Sequence, residues 1–169
     1  LIDATALARE KIPRIKTVIV GGAEAARADT AQTLRDQVRR LGLDDHVVFA
    51  GSQSKIAEIY ACGHVLVSGN STKPEAFGRS MAEALAMGCP VIATRFGGAL
   101  DIVRDGADGW LVTPGDAAEL ADRLALAART PFANLREDAL ARFSLDRMVA
   151  QTLAVYEEVL GPTPPQTRD

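Results

Sequence analysis

Five short apolar runs, Thr17–Val20, Val47–Ala50, Val65–Ser68, Val91–Thr94 and Trp110–Val112, recur along the chain between segments of helical pattern. They are rich in Val and Ile and carry apolar residues at successive positions. Strands buried on both faces read this way, whereas half-exposed strands alternate apolar and polar. The helical pattern covers Ile2–Glu10, Thr30–Leu41, Ser54–Ala61, Gly78–Met87, Ala99–Arg104, Ala117–Ala128, Phe132–Arg142 and Leu145–Leu160. Asp116 is placed to cap the sixth of these, with Glu119 three residues on in the capping-box position. Strand and helix in alternation predict an α/β fold, a parallel sheet with helices on both faces. Ligands of such sheets bind beyond the carboxyl ends of the strands. Gly21-Gly22, Gly51-Ser52-Gln53, Ser68 to Phe77 and Gly97-Gly98 all follow strands, so all are candidates for one rim.

The chain has 169 residues, enough for one domain with a real core, and 47% of them are hydrophobic, which excludes a disordered chain. A net charge of −3 and a pI near 5.4 argue against a general nucleic-acid binder or a polybasic membrane surface. No apolar run approaches the ~20 residues of a membrane span, and no leader peptide is evident. Cys62 and Cys89 lack metal-type spacing and are expected as buried free thiols. His46 and His64 stand alone beside strands and are read as structural. From Gly161 onward the Pro-rich end is expected to be a disordered tail.

The segment from Lys73 to Thr94 carries the chemistry. Glu75 and Glu83 are separated by seven residues, with Phe77-Gly78 between them. Pro74 disfavours helix at Lys73, so Glu75 precedes the helix and Glu83 lies inside it. Met81, Ala84 and Leu85 recur at helical intervals, Gly88 suits the residue past the helix end, and Pro90 forbids continuation. The first amides of this helix, around Phe77 to Ser80, have no intrahelical partners and can hold phosphate oxygens. Gly78 lets a ligand approach the backbone closely. A carboxylate beside a diphosphate would repel it. Glu75 and Glu83 are therefore better used on hydroxyls to either side, as a sugar nucleotide would offer.

At these residues the chain resembles the C-terminal domain of retaining, nucleotide-sugar-dependent glycosyltransferases of the GT-B fold, the glycosyl transferases group 1 family. The resemblance rests on Pro74-Glu75-Ala76-Phe77-Gly78, Glu83-Ala84, Gly88-Cys89-Pro90-Val91-Ile92-Ala93 and Gly97-Gly98. It continues through Asp105-Gly106-Ala107-Asp108-Gly109-Trp110-Leu111-Val112-Thr113-Pro114-Gly115-Asp116 and covers nearly the whole chain. It implies a Rossmann-like half of a two-domain enzyme, spanning residues 1–160. Members of the family have a strand before the segment matching Leu1–Leu7, ending in Gly-Arg, and then a lysine near the diphosphate. This chain has neither, nor the N-terminal acceptor-binding domain. It is expected to be part of a longer enzyme, with a central strand missing from its sheet.

The resemblance implies transfer of a hexosyl group from a UDP-sugar or GDP-sugar to an acceptor hydroxyl, with retention at the anomeric carbon, in bacterial glycan or lipopolysaccharide synthesis. It implies that Glu83 holds the ribose hydroxyls and that Glu75, the catalytic carboxylate, holds sugar hydroxyls near the reacting centre. The turn Glu75-Ala76-Phe77-Gly78-Arg79-Ser80 would receive the diphosphate. No metal or other cofactor is implied. A glycan or lipid-linked acceptor would bind the absent domain. The enzyme would be cytoplasmic, with any attachment to the inner membrane made through that domain.

Arg79 stands where the family has an apolar residue; it is either a phosphate contact or a solvated helix residue. Gly21-Gly22 either lines the diphosphate or is a plain turn. With Ala23, Glu24 and Ala25 following, it is no dinucleotide fingerprint. Ser52 and Gln53 either border the base or form an ordinary turn. The apolar stripe Leu145, Met148, Val149, Leu153 and Tyr156 is expected to seek a partner outside the chain. A sugar-nucleotide epimerase, a sucrose- or starch-type synthase and a non-catalytic nucleotide-binding module remain as alternatives.

Overall fold

The computed structural model describes residues 1–22, 28–70, 72–73 and 75–161. Strand and helix alternate as the apolar pattern predicts. The order is α1 (Ile2–Ala8), β1 (Thr17–Val20), α2 (Ala28–Arg40), β2 (Val47–Gly51), α3 (Ile56–Cys62), β3 (Leu66–Ser68) and α4 (Arg79–Ala86). There follow β4 (Val91–Thr94), α5 (Ala99–Ile102), β5 (Gly109–Val112), α6 (Ala117–Ala127), α7 (Leu135–Phe143) and α8 (Leu145–Leu160). All pairings between these strands are parallel.

Hydrogen bonding divides the strands into two groups, β1-β2 and β3-β4-β5. β4 and β5 are buried at every position. Their side chains alternate between two cores. Val91, Ala93 and Leu111 face α4, α5 and α7, while Ile92, Trp110 and Val112 face α1 and α6. Helices therefore cover both faces, which is why these strands carry no polar residue except the terminal Thr94. β1 and β2 are covered on one face by α1 and α2 through Ile2, Leu34 and Val38, with Leu43 from the turn after α2. The cross-strand pair Val18 and Val48 remains about half exposed on the other. α1 joins the two groups. Its Ala4 and Ala8 pack with α6 while Ile2 packs with α2, and the Thr5 hydroxyl meets that of Thr17 at 2.8 Å.

Several boundaries shift for local reasons. α1 stops at Ala8, where the amides of Lys11 and Ile12 both turn back to the Ala8 carbonyl ahead of Pro13. α5 ends at Ile102 because the Arg104 amide leaves the helix for the Asp108 carboxylate, at 2.7 Å. α7 begins three residues later than the pattern suggests. Phe132 turns instead onto Trp110, edge to face at 5.0 Å, and Asn134 adopts a left-handed conformation before the helix. The Asp116 cap of α6 forms, its carboxylate accepting the Glu119 amide at 2.8 Å. The reciprocal arm differs from a capping box, because the Glu119 side chain accepts from Thr113 rather than from Asp116.

The cysteines correct one expectation. Both are free, and Cys89 is buried, but Cys62 is exposed, because α3 buries only Tyr60. Burial pushes the Cys89 thiol up to about 11. At pH 8 a disulfide-exchange reagent is therefore expected to titrate Cys62 and leave Cys89 unreacted until the protein unfolds. Rapid reaction of both thiols in the native state would contradict this packing. His46 binds the Ile15 carbonyl at 2.9 Å, a structural role. The stripe on α8 is bare, its five residues between 44% and 68% exposed. No helix among the described residues is long and apolar enough to cross a membrane. The expected tail beyond Gly161, like Ala23 to Ala25 and Pro74, lies outside the described residues.

Candidate functional site

Glu75, Phe77, Gly78, Arg79, Ser80 and Glu83 line one cavity of about 520 Å³ at the start of α4. Gly78 is the N-cap of the helix, with φ +88. That left-handed backbone favours glycine, and a Cβ there would also crowd the Met81 methyl group at 2.2 Å and the Glu75 side chain at 3.1 Å. Beyond it, the Met81 amide bonds the Gly78 carbonyl at 2.9 Å. The amides of Phe77, Gly78, Arg79 and Ser80 make no hydrogen bond with the other described residues. They form a donor row at the positive end of the helix dipole, and Arg79 also lines the cavity. The far end closes as the sequence predicts, with Gly88 at φ +77 and the Cys89 amide returning to the Ala84 carbonyl at 2.9 Å.

Each carboxylate has a neighbour that the sequence did not announce. The Asn70 side-chain amide donates to Glu75 Oε2 at 2.9 Å, and the Thr94 hydroxyl donates to the Asn70 carbonyl at 2.7 Å. The Tyr60 hydroxyl points at Glu83 Oε2 from 3.5 Å, at the outer limit of a hydrogen bond. Burial first, and the charge of Glu83 second, push the Tyr60 phenol above its ordinary value, which keeps it a donor. Asn70 and Thr94 sit at the carboxyl ends of neighbouring strands, where polar residues mark a site in parallel sheets. That position was the only signal available for them.

The loop from Glu75 to Phe77 rests on the turn before α5. The Gly98 amide donates to the Glu75 carbonyl at 2.8 Å. A Cβ on Gly98 would stand 2.7 Å from the carbonyl oxygens of both Ala76 and Phe77. Ala76 thus contributes backbone to the support of the loop and does not line the cavity. From below, the Phe77 ring meets Phe143 edge to face at 6.0 Å. The Arg142 guanidinium lies 4.7 Å over the Phe143 ring and bonds the buried Asp108 carboxylate at 2.7 Å.

The remaining predicted residues form a second group. The Gly21 amide bonds the Gly51 carbonyl at 2.8 Å, and a Cβ on Gly22 would stand in ordinary contact with Ser52 Cβ, at 3.6 Å. The Gln53 amide is engaged by the Ala50 carbonyl, closing a local turn. Gly21, Gly22, Ser52 and Gln53 lie together at the ends of β1 and β2, and they do not line the cavity of Glu75 and Glu83. Among the described residues no cluster of three or more His, Cys, Asp or Glu could hold a metal ion.

The chain matches the family model for glycosyl transferases group 1 over residues 1–141. It is 40% identical over 124 residues to EpsD of Bacillus subtilis, covering 73% of this chain and 31% of that protein. It is 34% identical over 152 residues to the D-inositol 3-phosphate glycosyltransferase of Acidothermus cellulolyticus, covering 86% and 34% of the two. Among solved structures, Anabaena HepE in complex with UDP superposes with a TM-score of 0.76 at 32% identity, over 91% of this chain and 44% of that one. HepE has also been solved with UDP-glucose. The chain thus spans about a third of the length of these two sequence relatives and under half that of HepE. A parallel α/β body whose glycine-capped helix begins between two glutamates, a family match over most of its length and superposition on GT-B enzymes converge, and the chain belongs to the glycosyl transferases group 1 family.

Proposed function

We propose that this chain is the donor-binding, C-terminal half of a retaining GT-B glycosyltransferase, which moves a hexosyl group from a nucleoside diphosphate sugar to an acceptor hydroxyl. The observation that carries the reading is the amide row of Phe77 to Ser80, which has no partner among the described residues and is set between Glu75 and Glu83 in one cavity. The diphosphate lies on those amides, Glu83 accepts from the ribose hydroxyls, and Glu75 accepts from hydroxyls of the transferred sugar. As the bond to the anomeric carbon breaks, negative charge grows on the leaving diphosphate. Pre-aimed amides and Arg79 stabilise that charge more than they stabilise the bound donor, by several kcal/mol in sites of this type. A UDP-sugar is the first donor to test, since HepE, at 32% identity, has been solved with UDP and UDP-glucose; a GDP-sugar is the second. A separate acceptor domain completes the enzyme, consistent with a chain that spans 44% of HepE.

Calorimetric titration of the full-length parent with UDP, GDP and ADP tests the reading. One nucleotide is expected to bind selectively. Glu83→Ala is expected to weaken it by about 1.5 kcal/mol or more, roughly tenfold in Kd, because two ribose hydroxyls lose a charged acceptor. Unchanged affinity in that variant would remove Glu83 from the ribose. Absence of binding by all three nucleotides would sink the donor-site reading itself.

A further inference from the structure

We propose that Asn70 and Thr94 act in series to orient the Glu75 carboxylate, which makes Asn70 a positioning residue for recognition of the donor sugar. The inference rests on the reading of Glu75 given above and adds two residues to it.

Glu75 lies on an exposed loop. A free glutamate there would sample many rotamers, and only some would present an oxygen to a sugar held by the helix amides. Ordering it during binding would cost side-chain entropy. In this protein the ordering is already done. Asn70 donates its side-chain N–H to Glu75 Oε2 at 2.9 Å, which occupies one oxygen, while Oε1 makes no hydrogen bond with the described residues. A carboxylate only accepts, so the amide nitrogen, not the amide oxygen, must face it.

Asn70 is fixed in turn. It follows β3 by two residues, and its carbonyl accepts the Thr94 hydroxyl at 2.7 Å. Thr94 ends β4 and is 6% exposed. A hydroxyl at such a depth must find a partner, and it finds it in the Asn70 backbone. Rigid β4 thereby holds the loop residue that holds the carboxylate. This contact is independent of the amide row on α4, so it bears on the sugar end of the donor and not on the diphosphate. Lys73, Arg79 and Glu83 are the other charged residues near Glu75 in sequence or in the cavity, and none of them bonds its carboxylate.

The test compares affinities of the full-length parent for a nucleotide with and without its sugar, using the pairs UDP with UDP-glucose and GDP with GDP-mannose. Asn70→Ala is expected to weaken the sugar nucleotide about tenfold and leave the bare diphosphate within about twofold. Asn70→Asp, which sets a second carboxylate against Glu75, is expected to lose more than Asn70→Ala. Thr94→Val should reproduce part of the loss, and Thr94→Ser, which keeps the hydroxyl, should restore it. If the two residues act in series, Thr94→Val adds little in an Asn70→Ala background.

A merely structural role would weaken both ligands of a pair equally, or give additive losses, and either result overturns the proposal. Glu75→Gln separates the two levels of the argument. If Glu75→Gln weakens only the sugar nucleotide and Asn70→Ala does not, the positioning role fails alone. If Glu75→Gln is also silent, or the wild type binds neither pair, the sugar-side reading of Glu75 fails and the inference falls with it. Thermal melting of each variant confirms that it folds, with little change expected for Asn70 and Glu75 on the exposed loop.

Discussion

Gly98→Ala is expected to lower nucleotide affinity about 100-fold while leaving most of the chain folded. Gly98 lies directly behind the site loop. A methyl group there would meet the carbonyl oxygens of Ala76 and Phe77 at 2.7 Å and the Phe77 Cα at 2.9 Å. These are backbone atoms, and no rotamer change relieves the contact. The loop must move outward, and the bond from the Gly98 amide to the Glu75 carbonyl, 2.8 Å, is lost with it. Phe77 and Gly78 supply half of the proposed diphosphate donors, and Glu75 supplies the sugar acceptor. Losing those two hydrogen bonds to a charged diphosphate, at about 1.5 kcal/mol each, amounts to roughly 100-fold in affinity. Overpacking also destabilises, by about 1–3 kcal/mol. Calorimetry with the diphosphate and thermal unfolding together check the prediction. Wild-type affinity in Gly98→Ala would mean that the loop is not where binding occurs.

Asp108→Ala is expected to destabilise this chain by about 3 kcal/mol, because a buried carboxylate gives up several charged hydrogen bonds while solvent still reaches the guanidinium groups left behind. Asp108 is 1% exposed. Its carboxylate accepts the Arg104 amide, the Arg104 side chain and the Arg142 side chain, each at 2.7 Å. The Arg142 guanidinium also bonds the Ile102 carbonyl at 2.7 Å, so it joins α7 to the end of α5. Without Asp108, the Arg104 amide loses its acceptor, the Arg142 guanidinium loses its counter-ion and Arg104 is left with Asp138 alone. For a chain of this size the melting temperature should fall by about 10 °C. Trp110, the single tryptophan here, is buried and can report the transition by fluorescence. A shift under about 2 °C would show that the cluster adds little. Because Arg142 stacks on Phe143 and Phe143 meets Phe77, the same variant should loosen the site loop before the chain unfolds.

Much of this architecture was legible in the residues. The continuous Val-Ile runs of β4 and β5 require cover on both faces, and helices supply it. Gly78 and Gly88 bracket α4 because the backbone takes positive φ at both, and glycine alone adopts that without strain. Glu75 and Glu83 were found because their separation is local, set by one turn and one helix. The start of α7 was misplaced because a helical pattern cannot reveal that Phe132 is taken by Trp110, a contact across the fold. Cys62 was misjudged because its apolar neighbours in sequence are not its neighbours in space.

The sequence by itself determined the strand–helix alternation, the glycine-capped helix and the two carboxylates, since each depends on residues within a few positions of one another. Only the tertiary structure decided what surrounds those carboxylates. Asn70, Thr94, Tyr60 and Gly98 reach the site from β3, β4, α3 and the turn before α5, and no spacing in the chain encodes that meeting. The tertiary structure also decided that Gly21, Gly22, Ser52 and Gln53 gather apart from the Glu75 cavity, at the ends of β1 and β2. The reason is physical. Helix caps and strand patterns follow from local backbone sterics and burial period, whereas contacts between loops depend on how separate elements settle on a shared core.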